Sequence, residues 1–234
     1  GTTLNTSGNI SATTGSTGNA TFTLGPASPS VAGAGLIQML NNSVDKNWQI
    51  SNGAFVDGQF SLTPSTANGG STFTTPAFKI SGAGAVTIPG TLSLTGQPAF
   101  LALNSATDAN QTGNSTVVTV DFDTEVFDQG SNFAADTFTA PVAGRYRFSA
   151  SVRLDNMTTV NSMLLELVTS NRTYSTLKDV GPASSTAVNI SVLADLDAAD
   201  TAVVKISASG EGADTVGVYG NAAPVTCFSG ELVC

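Results

Sequence analysis

The stretch that decides the fold is Pro141-Val-Ala-Gly-Arg-Tyr-Arg-Phe-Ser149. Aromatic residues Tyr146 and Phe148 alternate in it with the charged residues Arg145 and Arg147. Because successive side chains of a strand point to opposite faces, this period of two predicts a half-buried β-strand. We expect Tyr146 and Phe148 in a hydrophobic core and the two arginines in solvent.

The composition of the whole chain points to an all-β protein. Only 11% of the 234 residues are charged, against about 25% in an average globular protein. The hydrophobic fraction of 41% is too high for a disordered chain. Gly, Ser, Thr and Asn make up the difference, which is typical of strands joined by many turns.

The charges divide the chain into two parts. The net charge is −9, and the four charged residues before Gln97 cancel, so the negative charge lies entirely from Gln97 onward. This asymmetry predicts a boundary between two domains, residues 1–96 and residues 97–234, which we call the stalk segment and the head domain. An acidic chain does not suit nucleic acid, and no apolar run is long enough for insertion into a membrane.

Nothing in the sequence indicates an enzyme. Histidine is absent, which removes the usual general base of a serine triad and the commonest metal ligand. Gly82-Ala-Gly84 has neither the lysine of a phosphate-binding loop nor a following helix pattern. We therefore predict a protein without catalytic activity.

The stalk segment contains short apolar strands separated by turns such as Asn52-Gly53 and Asp57-Gly58. Strands are predicted at Leu36–Leu40, Asn47–Ile50, Gln59–Leu62, Phe78–Ile80 and Val86–Ile88. The sole tryptophan, Trp48, lies in the second of these, where it is either a core residue, the interpretation we favour, or a platform on which a sugar stacks.

The first 30 residues contain few apolar side chains, namely Leu4, Ile10, Phe22 and Leu24. One chain cannot build a core from so few, whereas several copies side by side could pool them. The succession of short strands over residues 36–96 resembles the shaft segments of phage tail fibres and tailspikes. The resemblance implies a trimeric β shaft, or prism-like segment, over residues 1–96.

The head region contains strand patterns at regular spacing and no convincing helix. Strands are predicted at Ala99–Leu103, Thr116–Val120, Thr124–Phe127, Phe133–Phe138, Arg145–Leu154, Ser162–Thr169, Thr173–Leu177, Ala187–Leu193, Ala202–Ser207, Thr215–Tyr219 and Cys227–Val233. About ten strands at this spacing indicate an antiparallel β-sandwich of the jelly-roll type.

Three stretches carry a more specific resemblance: Pro98-Ala-Phe-Leu-Ala102, the run from Phe133 to Ser149, and Phe228-Ser-Gly-Glu-Leu232. In this order and spacing they resemble the globular C1q domain. The resemblance implies a ten-stranded jelly roll, like that of tumour necrosis factor, that assembles as a tight homotrimer. The collagen-like stalk of animal members is absent, which favours the versions found at the tips of phage and bacterial fibres.

These features together predict the distal part of a homotrimeric phage tail fibre or spike, exposed on the virion. Its C1q-like head would bind a host surface polysaccharide or an outer-membrane receptor during adsorption. Polar residues of turn-forming type are the candidates for contact with the receptor. They are Asp108, Asn110, Asn114, Asn156, Thr158, Glu211 and Asp214.

Two other functions fit the same pattern. A structural, head-decorating virion fibre would use the C-terminal domain only for trimerisation, and a bacterial C1q-like adhesin would carry a signal peptide upstream. Because the sequence begins with Gly1 rather than Met, we expect an upstream segment that contacts other virion or tail proteins.

Calcium is the only cofactor that the sequence suggests. Asp195, Asp197 and Asp200 crowd one turn, and Asp121 and Asp123 share one face of a strand. Clustered carboxylates are the hard oxygen donors that calcium requires. The alternative is that aspartate simply favours turns and solvated faces, because its carboxylate bonds to nearby backbone amides.

Overall fold

The computed structural model describes residues 35–40, 45–56, 58–181 and 183–234. The chain forms two compact units that divide between Ser93 and Leu94. Throughout the described residues the regular structure is β-strand without any helix, which confirms the all-β prediction. Accordingly, this part of the chain has no helix that is long and apolar enough to cross a membrane.

The first unit contains one antiparallel sheet whose five strands follow one another in chain order. They are β1 (Gly35–Met39), β2 (Lys46–Asn52), β3 (Phe60–Asn68), β4 (Phe78–Ile80) and β5 (Val86–Thr87). Each of them overlaps a predicted strand, although β3 continues to Asn68 where the prediction ended at Leu62. Leu4, Ile10, Phe22 and Leu24 lie outside the described residues, so the prediction of a trimeric shaft stays a prediction.

The second unit contains two antiparallel sheets. Its strands are β6 (Ala99–Leu103), β7 (Asp108–Thr112), β8 (Val118–Thr119), β9 (Thr124–Gln129), β10 (Phe133–Ala134), β11 (Thr137–Thr139), β12 (Gly144–Asp155), β13 (Ser162–Thr169), β14 (Thr173–Asp179), β15 (Ser185–Leu196), β16 (Thr201–Ser209), β17 (Val216–Val218) and β18 (Cys227–Leu232).

One sheet has the order β10-β11-β16-β13-β14, with β8 also paired to β16. The other has the order β7-β17-β12-β18-β6-β9, with β15 also paired to β12. Strand β12 contains the stretch Gly144–Ser149 and is the centre of this second sheet. It pairs with β15 along its whole length and with β17 and β18 on its other edge.

The two sheets pack face to face around a core of aromatic rings. Tyr146 and Phe148 are buried and Arg145 and Arg147 are exposed, as the alternation predicts. The ring of Phe138, from the first sheet, lies 5.5 Å from that of Phe148 and 5.1 Å from that of Phe100. Such pairs stabilise the sandwich by roughly 0.5–1.5 kcal/mol each beyond the burial of their area.

Two local features differ from the prediction. Residues Asp108–Thr112, expected as part of a loop, form strand β7, which pairs with β17. The segment predicted as one strand, Phe133–Phe138, is a hairpin of β10 and β11. Its turn residues Ala135 and Asp136 both have positive φ, at 47° and 62°. The usual sequence signature of such a turn is Asn-Gly or Asp-Gly, and neither pair occurs here.

Gly230 sets how closely two core rings approach the last strand. A Cβ atom at this position would lie 2.6 Å from Phe100 Cε1 and 2.6 Å from Phe148 Cδ1. Both rings are fully buried, so neither can move aside without displacing its neighbours.

We therefore expect Gly230→Ala to lower the free energy of unfolding by about 1–3 kcal/mol, the usual cost of overpacking a core. Gly212→Ala is the matched control, because a Cβ atom there meets no atom within 4 Å. Urea unfolding of both variants measures the difference. Equal midpoints for the two would contradict the role assigned to Gly230.

Candidate binding surface

Three loops meet at one end of the jelly roll: residues 113–117 after β7, 156–161 between β12 and β13, and 210–215 between β16 and β17. They meet because β13 and β16 are antiparallel neighbours, with Ser162 opposite Ser209. Thr112 likewise lies opposite Val216. We call residues 113–117, 156–161 and 210–215 the three-loop surface.

Glu211 joins two of these loops through its carboxylate. The backbone N–H groups of Thr158 and Thr159 donate to Oε1 at 2.6 and 2.7 Å. Their hydroxyls donate to Oε2 at 2.8 and 2.9 Å. These bonds favour the ionised carboxylate, the backbone bonds most strongly, and they lower the pKa of Glu211 from 4.5 to about 2.

Asp214 joins the same loop to the third one. Its Oδ2 atom accepts a hydrogen bond from the Thr116 hydroxyl at 2.5 Å, and Oδ1 accepts one from the Asn114 N–H at 2.9 Å. The Thr116 bond, followed by that of Asn114, lowers the pKa of the Asp214 carboxyl. The side-chain amide of Asn156 adds a bond to Thr215 O at 2.8 Å.

Gly210 allows the loops to approach closely at their base. Its φ is +112°, a conformation that L side chains rarely adopt. A Cβ atom there would lie 2.6 Å from the carbonyl oxygen of Thr159. This close approach also lets the Thr159 hydroxyl donate a hydrogen bond to the carbonyl oxygen of Gly210 at 2.7 Å.

The structure brings together five of the seven residues predicted to contact a receptor. They are Asn114, Asn156, Thr158, Glu211 and Asp214. The other two, Asp108 and Asn110, lie on strand β7 rather than in a loop, because Thr112 and Asp108 pair with Val216 and Val218. The Asp108 carboxylate accepts a bond from the Asn104 amide at 2.5 Å.

The prediction did not include Thr116 and Thr159, whose hydroxyls bond to the two carboxylates. A threonine in a polar loop is too common to single out from sequence. Both Glu211 and Asp214 bond to donors of their own chain, and their contact with a receptor stays a prediction. Their hydrogen bonds shape the three loops.

The three-loop surface offers amides, hydroxyls and one apolar side chain. Asn114, Asn156, Thr158 and Thr159 are exposed, and so is Val117, at 52% of its full area. None of the residues in the three loops is lysine or arginine. Such a surface suits a neutral, hydroxyl-rich ligand better than a phosphate or an acidic one.

A model of the C1q domain family matches residues 99–233, more than half of the chain. This chain belongs to the C1q domain family. The globular domain of zebrafish complement 1qA protein is similar at 19% identity, over 59% of this chain and 98% of that one, with a TM-score of 0.44. Murine APRIL at pH 5.0 is similar at 14% identity, over 59% and 99%, with a TM-score of 0.42. No curated protein sequence matches.

The acidic turn of this C1q domain does not form a preassembled cation site. The Asp195 carboxylate lies 3.1 Å from Arg172 Nη2, and Asp200 Oδ2 accepts a bond from the Asp197 N–H at 2.9 Å. Within the described ranges, no three acidic, cysteine or histidine residues form a group that could hold a metal ion. Calcium binding at these three residues stays a prediction from sequence.

The alternative calcium pair, Asp121 and Asp123, lies between β8 and β9 and not on a strand as predicted, and its two carboxylates have unlike environments. Burial, and then the carboxylates of Asp136, Asp108 and Asp123, raise the pKa of Asp121. The Asp123 carboxylate accepts bonds from the Ser105 N–H at 3.0 Å and from its hydroxyl at 2.8 Å.

The arginines on the outer face of β12 form contacts within the chain. Arg147 lies 3.6 Å from Glu231 across the β12–β18 pair. The guanidinium of Arg153 lies 4.3 Å from the ring centre of Tyr219, a cation–π contact. We therefore assign these two arginines to the stability of the sheet.

Replacing Glu211 with glutamine should loosen the three-loop surface. The amide retains one carbonyl oxygen in place of two carboxylate oxygens, and its bonds lack the added strength of an ionised acceptor. We expect the amides of Thr158 and Thr159 to exchange faster with deuterium at pH 7, while the amides of β12 are unchanged. Glu125→Gln, at an exposed position on β9, is the control.

The bonds to Glu211 should also depend on pH in a defined window. A lowered pKa means that the ionised carboxylate stabilises the loops fully above its ordinary value of 4.5 and loses this effect as pH falls toward about 2. NMR shifts of the Thr158 and Thr159 amides, followed through an acid titration, should change with a midpoint near 2. A midpoint near 4.5 would contradict these hydrogen bonds.

Proposed function

We propose that this C1q domain is the binding head of a homotrimeric fibre, and that the three-loop surface binds the surface of a host cell. The observation that carries the proposal is the bracing by Glu211 and Asp214. Their hydrogen bonds hold three loops in one arrangement. Because the loops are already ordered, binding a ligand costs little conformational entropy.

The ligand that fits this surface is a neutral polysaccharide. Exposed amides and hydroxyls can both donate to and accept from sugar hydroxyls, and Val117 can pack against the apolar face of a sugar ring. One shallow site of this kind binds weakly. Three copies held on one particle bind a repeating polymer with much higher avidity, because the second and third contacts are intramolecular.

The homotrimer is supported by the family and by the outer face of the sheet centred on β12. Domains of the C1q and tumour necrosis factor type commonly form homotrimers. On this face the side chains of Phe127 and Leu193 are 50% and 56% exposed in the single chain. Contact with neighbouring copies would remove this apolar surface from water.

We place this head at the distal end of a phage tail fibre or spike, exposed on the virion. The support is the sequence of the first unit, whose short strands resemble a fibre shaft and contain no collagen-like repeat. The proposed activity is adhesion without catalysis, and it requires no cofactor.

The experiment uses the full chain, labelled with a fluorophore, and a panel of bacterial cells. We expect binding to some strains, and loss of that binding after periodate oxidation of the surface sugars. Asn114→Ala should weaken binding by roughly fivefold per site, the value of one hydrogen bond, and by more for the trimer. Asn171→Ala, at the opposite end of β13, is the matched control.

Binding that survives periodate would indicate an outer-membrane protein as the receptor instead of a polysaccharide. Absence of binding to the strain that the virion infects, together with no competition for adsorption, would overturn the adhesive function. A structural, head-decorating fibre would then be the better description. The mass in solution tests the trimer separately, with about 70 kDa expected for three chains of 23.5 kDa.

A further inference from the structure

The five-stranded sheet of the first unit has one almost entirely apolar face. Residues directly opposite each other in antiparallel strands share a face, so the register defines it. Its apolar members are Ile37, Met39, Trp48, Ile50, Phe60, Leu62, Pro64, Phe78, Ile80 and Val86, and the two ends of β2, Lys46 and Asn52, lie on the same side. We call these ten residues the apolar face.

The opposite face of the same sheet is mostly polar, and its central part, on β2 and β3, is buried. Gln49, Ser51, Ser61 and Thr63 are all less than 9% exposed. The hydroxyls of Ser51 and Ser61 lie 2.7 Å apart, within hydrogen-bond distance. The sheet is therefore inverted relative to a usual one, in which the apolar face is the buried face.

Several members of the apolar face are exposed in the single chain: Trp48 is 41%, Met39 53% and Val86 58% exposed. Together the ten side chains present on the order of 600 Å² of apolar surface, at the upper limit for a monomer and close to one side of a standard interface. A sheet needs a covered hydrophobic face for stability. Some other surface must therefore cover this one.

Two observations favour a second copy of this chain as that surface. None of the ten residues carries a charge, and the charged residue on the same side, Lys46, lies at the end of β2, where its ammonium donates to Thr66 O at 2.7 Å. The chain's own first 34 residues contain only five large apolar side chains, too few to cover ten. They are Leu4, Ile10, Phe22, Leu24 and Val31.

We infer that the apolar faces of three copies pack against one another and form a core that no single chain possesses. This inference rests on the homotrimer proposed above. The head holds three copies together, and its covalent link to the first unit raises the effective concentration of the three faces. The single tryptophan of the chain, Trp48, then lies in an interface between chains.

Trp48 is a native reporter for this interface, because the chain contains no other tryptophan. In the purified full chain we expect acrylamide to quench the fluorescence of Trp48 much less than in the urea-unfolded chain. The emission of Trp48 should also be blue-shifted. Strong quenching in a particle of three chains would overturn the inference and leave the proposed trimer intact. A monomer in solution would overturn both.

Adjacent residues of β5 supply a matched pair of variants. Val86 belongs to the apolar face and Thr87 to the polar face, and both are exposed in the single chain. If copies cover the apolar face, Val86→Glu places three carboxylates in the interface and restores quenching of Trp48. Thr87→Glu should leave quenching unchanged. Equal behaviour of the two variants would contradict the inference.

Energy transfer distinguishes other chains from residues of the same chain. Trp48→Cys, in a background with Cys227 and Cys234 changed to serine, is labelled with dansyl and refolded together with unlabelled wild-type chains. Transfer from Trp48 to dansyl is expected, since the two sites on different copies would share one core. A protected Trp48 without transfer would show that its own chain covers it, and would overturn the inference.

Discussion

The contact between aromatic rings across the two sheets is the constraint on which the head depends. Phe100, Phe138 and Phe148 come from different strands, and Gly230 lets two of these rings lie against the backbone of β18. This contact sets the separation of the two sheets and so the distance between the loops that leave them. The three-loop surface consists of such loops, so its geometry follows from the core.

Strand positions were predictable where side-chain alternation is strong, as in β12, where Tyr146 and Phe148 alternate with two arginines. Strand β7 was not, because Asp-Ala-Asn-Gln-Thr has no alternation and owes its pairing to β17. The β10–β11 turn was also not predictable, because Ala135 has a positive φ and alanine rarely adopts that conformation. Here tertiary contacts overrule local preference.

The candidate site shows the same division. Turn chemistry identified polar loops that do meet in space, and five of the seven chosen residues lie there. Their individual roles were beyond the sequence, because Glu211 bonds to Thr158 across 53 residues of chain. In the first unit, alternation predicted the strands, yet it cannot tell which face is covered. The exposure of Trp48 supplied that information.

Glu211 and Asp214 accept hydrogen bonds from other residues of the three-loop surface. These bonds form a frame for the loops, and the exposed side chains of the surface are separate from it. Asn114 contributes its backbone N–H to the frame, while its exposed side chain is absent from the bonds that brace the described loops. Gly212 and Ala213 are exposed as well. Substitutions at such positions can alter the ligand while the loops keep their shape. The fold thus permits the exposed chemistry of this surface to change while the scaffold stays the same.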